Sequence, residues 1–316
     1  MEAVQQFVSQ LRDQVSTVVV GQDDMLNQCL LGLLCKGHVL LEGVPGIAKT
    51  LTVKTLARVL RLQFQRVQCT SDLMPADILG TNVLNMSNGS FQLHKGPIFT
   101  DLLLVDEVNR MPPRTQAALL ESMEEQQVTI DGARYPLSEF FTVFATQNPV
   151  EFEGTYPLPE AQLDRFLLKI RVRYPTAEEE LRLLTKFKHG PDSRNLAEGQ
   201  LHALEPELLN RAREEVRTGV RVEESLFSYI LAVGRQTREW PSLSLGASPR
   251  AVISILTTAK AAAAMDGRDY IIPDDVKTVA LPVLRHRILL KPEAELEGLT
   301  PDHILSDVLR AVEIPK

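Results

Sequence analysis

The stretch His38-Val39-Leu40-Leu41-Glu42-Gly43-Val44-Pro45-Gly46-Ile47-Ala48-Lys49-Thr50-Leu51 decides the fold. Its first five residues form an apolar run that reads as a short buried strand, and residues 51–60 carry apolar side chains at helical spacing. A strand, a glycine-rich turn and a helix opening on Lys-Thr make the order of a phosphate-binding loop. The turn's main-chain N–H groups and the helix N-terminus then point at an anion. Lys49 reaches the β- and γ-phosphates of a nucleotide in that order, and the Thr50 hydroxyl ligates Mg2+. The strict pattern has Gly before the Lys, where this chain has Ala48. A methyl is the smallest side chain that can pass there, and Gly43 and Gly46 keep the loop flexible.

The next decisive run is Asp101-Leu102-Leu103-Leu104-Val105-Asp106-Glu107. Its unbroken apolar centre predicts a parallel strand covered on both faces. Ligands of open α/β sheets lie beyond the strands' carboxyl ends, where this run carries two carboxylates. Asp106 is expected in the Mg2+ shell, and Glu107 is expected to orient and deprotonate the attacking water. Residues 140–146 read as another buried strand, ending in Gln147-Asn148-Pro149. Asn148 either bridges to the γ-phosphate or the lytic water, or forms a turn before proline. Upstream, Val20-Gly21-Gln22 breaks a helix. It either packs its backbone against a purine or only ends that helix.

Composition bounds the class. The 316 residues suffice for two ordinary domains, and 44% hydrophobic with 24% charged content is that of a soluble globular chain. No apolar run is long enough to span a bilayer, and the first seven residues are acidic and amphipathic, so a cytoplasmic location is expected. The three cysteines form no CxxC pair and read as reduced core thiols. A net charge of −7 with 5% aromatics argues against a broad nucleic-acid surface, leaving room only for a local basic channel.

Elsewhere, residues 3–15 and 23–35 read as helices, residues 64–69 as a strand and residues 112–125 as a helix. Two hairpins are predicted, at 80–95 around Asn88-Gly89 and at 127–137 around Asp131-Gly132. A short helix at 158–166, a strand at 166–172 and a helix capped by Thr176 follow. Residues 186–200 read as a linker, and the remainder as helices with no further strand. Five parallel strands in a doubly wound α/β nucleotide-binding domain, 1–187, are thus expected before an all-helical domain, 188–316.

Five phrases go further: residues 41–46, residues 145–149, the run Glu153-Gly154-Thr155-Tyr156-Pro157-Leu158-Pro159-Glu160-Ala161-Gln162-Leu163-Asp164-Arg165-Phe166, then Ser248-Pro249-Arg250 and His286-Arg287-Ile288. With the P-loop and the Asp-Glu strand they resemble an AAA+ ATPase, and within that class the MoxR subgroup. The resemblance implies a P-loop AAA+ core with a helix-2 insert at 80–95, a pre-sensor-1 hairpin at 127–137 and a helical lid. It implies ATP and Mg2+ as cofactors, with residues 20–22 and 43–51 around the nucleotide. Asn148 would be sensor 1, Arg250 sensor 2 on the same chain's γ-phosphate, and Arg165 the arginine finger offered to a neighbouring subunit. From the residues alone, Arg165 can equally pair with Asp164 or Glu160, and Arg250 can be an ordinary helix-start residue. The resemblance further implies a hexameric ring working with a von Willebrand factor A-domain protein, in remodelling, maturation or metal loading of a target. A magnesium-chelatase-like motor subunit and a nucleic-acid motor are the alternatives. The second hairpin offers only Arg134 as a phosphate-gripping cation, and the first ends in His94-Lys95.

Overall fold

The computed structural model describes residues 1–87, 89–149, 154–188 and 201–315. In chain order come α1 (Glu2–Ser16), α2 (Asp23–Leu34), β1 (His38–Glu42), α3 (Lys49–Val59), β2 (Phe64–Gln68), α4 (Pro75–Leu79), β3 (Gly80–Asn85), β4 (Ser90–Lys95) and β5 (Leu102–Asp106). Next are α5 (Pro113–Glu125), β6 (Gln127–Ile130), β7 (Ala133–Pro136), β8 (Thr142–Gln147), α6 (Glu160–Leu163), β9 (Phe166–Arg171) and α7 (Ala177–Phe187). The main sheet has five parallel strands in the order β2-β5-β8-β1-β9. The expected doubly wound core is therefore present.

Alternation explains why both faces of this sheet are buried. In β1, Val39 and Leu41 join one apolar cluster and Leu40 the other; in β5, Leu102 and Leu104 face away from Leu103 and Val105. Successive strand side chains point to opposite faces, so an all-apolar strand needs cover on both. One cluster includes Leu119 and Met123 of α5, and the other includes the buried residues of α1, α2 and α3. Cys29 and Cys69 are core side chains, and burial pushes their thiols up to about 12.

Two antiparallel hairpins leave this core. β3 and β4 pair from Gly80↔Lys95 to Asn85↔Ser90, and β6 and β7 from Gln127↔Pro136 to Ile130↔Ala133. Asp131 and Gly132 turn the second with positive φ, as the Asp-Gly pair predicts. Asn88 of the first predicted turn lies outside the described residues, as do Glu153 of the long phrase and residues 189–200 of the predicted linker.

The C-terminal part comprises α8 (Pro206–Glu214), α9 (Glu224–Glu239), β10 (Leu243–Leu245), α10 (Pro249–Met265), α11 (Pro273–Leu284), β11 (Leu289–Leu290), α12 (Pro292–Leu296) and α13 (Pro301–Ala311). Among the described residues it is helical as expected apart from a small antiparallel ladder, β10 with β11, and an isolated bridge between Arg221 and Tyr270. Two or three residues per strand are too few for a periodic signal in sequence. Ser248 caps α10 by accepting from Ala251 N at 3.1 Å, and Thr176 with Glu179 forms a capping box on α7. Among the described residues no helix is long and apolar enough to cross a membrane.

His38, at the start of β1, generates a prediction. It is buried, its Nδ1 accepts from Val143 N at 2.9 Å and its Nε2 donates to Met123 O at 3.1 Å. Burial lowers its pKa from 6.5 to about 4. Between those values the unfolded chain holds a proton that the folded chain refuses, so stability present above pH 6.5 is lost as pH falls toward 4. The shift corresponds to on the order of 3 kcal/mol. Urea midpoints measured from pH 7 to pH 4 should fall more steeply for the wild type than for His38→Gln. Parallel slopes would contradict a neutral His38.

Candidate active site

The carboxyl end of β1 runs into the glycine-rich turn. Gly43 donates its N–H to Gln147 O at 3.1 Å, and a Cβ on it would come within 2.9 Å of Val172 O, so no side chain fits there. Gly46 and Ala48 both take left-handed backbone, φ 84 and 64. This reverses the chain so that α3 begins at Lys49, with an Ala side chain at its N-cap and no side-chain cap on its first N–H groups. A glycine would hold φ 64 without strain; Ala48 does so at a cost of about 1–2 kcal/mol. Backbone strain of this kind gathers where the loop must present N–H groups to a ligand. The Lys49 ammonium donates to Gly43 O across the turn. Burial lowers its pKa, against the raising influence of Asp106, Glu107 and Glu42.

Beside this loop lies a cleft of about 390 Å³ lined by Lys49, Thr50, Asp106, Glu107, Thr146 and Asn148, among others. The strand order explains the convergence, because β5, β8 and β1 are adjacent and parallel, so their carboxyl ends open on one crevice. Asp106 is buried. Its Oδ1 accepts from Thr146 Oγ1 at 3.1 Å, and its Oδ2 accepts from Arg66 Nε at 2.6 Å, with Thr50 Oγ1 at 3.5 Å. Glu107 leaves the strand in left-handed backbone, φ 57, and its N–H donates to Thr146 Oγ1 at 2.9 Å. Its Oε2 accepts from Gln68 Nε2 at 3.0 Å and from Arg110 Nη1 at 3.2 Å. Asn148 is buried at the cleft wall. A hydroxyl and a carboxylate side by side are the oxygen donors that a magnesium ion takes alongside phosphate. The uncapped helix start with its lysine suits a polyphosphate.

Gly21 and Gln22, which follow Val20, reach the same end of the molecule. Gly21 has φ 73, and a Cβ on it would meet the Glu179 side chain at 2.9 Å. Gln22 Nε2 donates to Arg173 O at 3.1 Å. The turn lines a second cleft with Gly43 and Val44, so it adjoins the phosphate loop.

Arg165 and Arg250 are elsewhere: both line a third cleft with His38, the first residue of β1, so Arg250 is grouped with Arg165 and not with the residues of the phosphate loop. Arg165 immediately precedes β9, whose first residue Phe166 is in register with His38, the first residue of β1. The P-loop follows the last residue of β1, so the two ends are separated by the strand's length, about 15 Å. Arg250 has joined Arg165: Glu124 Oε2 accepts from Arg165 Nε at 2.8 Å and Glu124 Oε1 from Arg250 Nη1 at 3.0 Å. The two arginines, the Arg165 bond first, hold the Glu124 carboxyl below its ordinary pKa. Arg165 does not pair with Asp164 or Glu160; Asp164 instead pairs with Arg287 at 2.6 Å.

Sequence reading missed Arg66, Gln68, Arg110, Glu124 and Thr146. The alternation of residues 64–68 does mark a strand, but which strand it neighbours is a property of the sheet. Only the β2–β5 pairing puts Gln68 opposite Asp106. Thr146 lies one residue before Gln147-Asn148 and could have been read as a second polar group at that strand end.

Fold and cleft together define a P-loop ATPase with a lid. The family model described as "ATPase family associated with various cellular activities (AAA)" matches residues 38–168, and that of the AAA lid domain matches residues 235–308. Chaperone MoxR1 of Mycobacterium tuberculosis is 42% identical over 314 residues, 96% of this chain and 81% of its own. Protein YeaC of Bacillus subtilis is 44% identical over 308 residues, 96% and 93% of the two chains. The crystal structure of a candidate ATPase from Cytophaga hutchinsonii has a TM-score of 0.89 at 43% identity, covering 100% of this chain and 98% of that one. This chain belongs to the MoxR-type AAA ATPases. ATP binding and hydrolysis come with that membership.

Thr146 offers a test of the geometry. It is buried and ties both carboxylate residues together. Thr146→Val keeps the shape but leaves the Glu107 N–H without its acceptor, which should lower stability by about 1–3 kcal/mol. Denaturation midpoints check this, and a variant as stable as the parent would contradict the network.

Proposed function

We propose that this chain is one subunit of an oligomeric ATPase whose sites are completed between neighbours, and that it uses Mg2+-dependent ATP hydrolysis to remodel or activate a protein partner. The observation that carries this reading is the sorting of residues onto the two ends of the sheet. Lys49, Thr50, Asp106, Glu107 and Asn148 meet in one cleft, while Arg165 and Arg250 lie together at the opposite end. A ring that sets one subunit's arginine end against the next subunit's cleft brings the two halves together.

Lys49 and the first N–H groups of α3 bind the β- and γ-phosphates in this reading. Thr50 and Asp106 hold the metal ion, whose role when bound is to neutralise charge on the phosphates. Glu107 takes the proton from the attacking water, and Asn148 orients that water or the γ-phosphate. Residues 20–22 with Val44 and Leu51 enclose the base and sugar. Arg165, and with it Arg250, stabilises charge on the nucleotide of the neighbour. Residues 1–187 act as the nucleotide-binding unit and 188–316 as the lid, in a hexameric ring in the cytoplasm.

A protein client is supported by the β3–β4 hairpin. Leu84, Met86 and Phe91 are exposed there, Met86 by 87% and Phe91 by 71%. Exposed apolar side chains suit a protein surface, whereas a phosphate backbone calls for Lys and Arg. The name of MoxR1 as a chaperone supports the same reading. A von Willebrand factor A-domain protein is the partner proposed; immobilised wild type should retain a purified one, and no retention would remove that partner.

The chemistry is tested by substitution. Glu107→Gln should bind ATP within about twofold of wild type and lose about 10²–10⁴ in turnover, because the base is gone. Lys49→Ala should instead weaken binding. Arg165→Ala should bind ATP and lose most turnover, as loss of an arginine finger costs about 10³–10⁵. Mixing it with Glu107→Gln subunits should restore activity, since some interfaces then pair an intact Glu107 with an intact Arg165, and Arg250→Ala should be complemented in the same way. Wild-type turnover by Glu107→Gln, measured by phosphate release, would sink the catalytic assignment. Wild-type turnover by Arg165→Ala would sink the shared site.

A further inference from the structure

Three consecutive side chains just past the end of α11 reach across to β9. Strand β9 is one of the two outer strands of the main sheet, and an outer strand presents main-chain groups that no further strand satisfies. Arg285 Nη1 donates to Lys169 O at 3.1 Å and His286 Nε2 donates to Phe166 O at 2.9 Å. Arg287 does more. Its Nε donates to Asp164 Oδ1 at 2.6 Å, its Nη2 to Asp164 O at 3.2 Å and Phe166 O at 2.8 Å, and its Nη1 to Leu167 O at 3.1 Å and Val283 O at 2.7 Å. A guanidinium has five N–H groups, and this one has an acceptor for each. The side chain is 2% exposed.

The acceptors are not spread along the edge. Asp164, Phe166 and Leu167 bracket Arg165 on both sides, and the last bond returns to Val283 in α11. Arg287 thus ties the backbone on either side of Arg165 to a lid helix. Covering the strand edge does not require this, because Arg285 and His286 already donate to it. Burying a guanidinium is costly, and an apolar side chain of similar volume would often fill such a place with equal or better stability. Burial lowers the Arg287 pKa against the raising effect of Asp164. Four bonds to one loop and a fifth to α11 are explained by a need to hold that loop in one shape against the helix.

We propose that Arg287 is the positioning residue of Arg165, so that the lid, through α11, sets where the finger stands in the neighbour's site. This rests on the reading of Arg165 as acting on the adjacent subunit's nucleotide. Arg287 touches no nucleotide in this reading; it acts only through the loop at 164–167.

The test uses the full chain. Arg287→Lys keeps a positive charge beside Asp164 but has three donors in place of a planar fork of five, so it cannot hold the loop's carbonyls together. Arg287→Met removes the donors and keeps the bulk. Melting curves identify which variant folds, and that one is carried forward; if neither folds, the role is structural and the proposal is overturned. The folded variant should bind ATP in its own P-loop within about twofold of wild type. Its kcat should fall about 10- to 100-fold, the effect of misplacing a reacting group by about 1 Å. Mixing with Glu107→Gln subunits, whose Arg165 and Arg287 are intact, should restore turnover, and mixing with Arg165→Ala subunits should not. A role confined to its own subunit's site would instead weaken ATP binding and resist complementation by Glu107→Gln, which overturns the proposal. So does a wild-type kcat. If Arg165→Ala is rescued by Glu107→Gln while the Arg287 variant is not, this proposal alone falls. If Arg165→Ala itself turns over normally or is never rescued, the shared-site reading falls and takes this proposal with it.

Discussion

A parallel sheet has two unlike ends, and that polarity organises this molecule. All five strands of the main sheet point the same way. Whatever follows a strand lies at one end, and whatever precedes a strand lies at the other. Gly43, Glu107 and Asn148 each follow a strand, and the order β5-β8-β1 makes those strands neighbours. Arg165 precedes one. No rotation of an arginine side chain spans a strand of five residues. The division of the proposed site between subunits is therefore a consequence of topology, before any detail of the arginine is considered.

The anchors on the two ends differ in strength, and the difference has a use. Asp106 is buried with hydrogen bonds from Thr146 and Arg66, and a buried carboxylate left without its donors is destabilising. Glu124 is 38% exposed, as is its side of both arginine contacts. Exposed ion pairs contribute about 0–1 kcal/mol each. The guanidinium groups of Arg165 and Arg250 are consequently held by something a phosphate oxygen can displace, since charge-assisted bonds to phosphate are stronger. The backbone on either side of Arg165 is held by three bonds to a buried guanidinium, which also bonds the Asp164 side chain. A fixed base with an exchangeable tip is the arrangement expected of a group that must reach a transient charge.

Much of this was legible in sequence where one residue's chemistry suffices. The strand-turn-helix around Lys49 and the Asp106-Glu107 strand end were read from local pattern, because apolar runs, glycines and carboxylates declare themselves within a few residues. Ala48 was legible as a departure, although its left-handed backbone was not. What could not be read depends on which segments become neighbours. Gln68 meets Glu107 only because β2 pairs with β5, and Glu124 meets Arg165 and Arg250 only because three distant segments converge. The pairing of Arg250 with Glu124 is not legible in sequence for the same reason. Ser248-Pro249-Arg250 correctly announces a helix start, but a helix start carries no information about which end of a sheet it will face. The β10–β11 ladder escaped because so few residues show no period.

The lid's attachment limits how it can move. Its buried residues, among them Ile255, Val279, Leu305 and Val308, belong to the same apolar cluster as Val39, Leu41 and Phe144 of the sheet. Glu215 accepts from the N–H groups of Ala3 and Val4 at the start of α1, so the first helix of the chain is also bound to the C-terminal part. Domains joined through a large apolar interface do not swing freely as linker-joined ones do. A lid sharing its core with the sheet is restricted to small sliding of packed helices, because well-packed interfaces shift between discrete arrangements and do not deform continuously. Small displacements are enough here. Arg287 lies just beyond α11 and is bonded to the residues on both sides of Arg165, so a shift of α11 against β9 passes to the loop at 164–167 with little slack. Arg285, two residues before Arg287, lines the cleft beside Gly43 and Val44, so the same short segment meets both ends of the sheet.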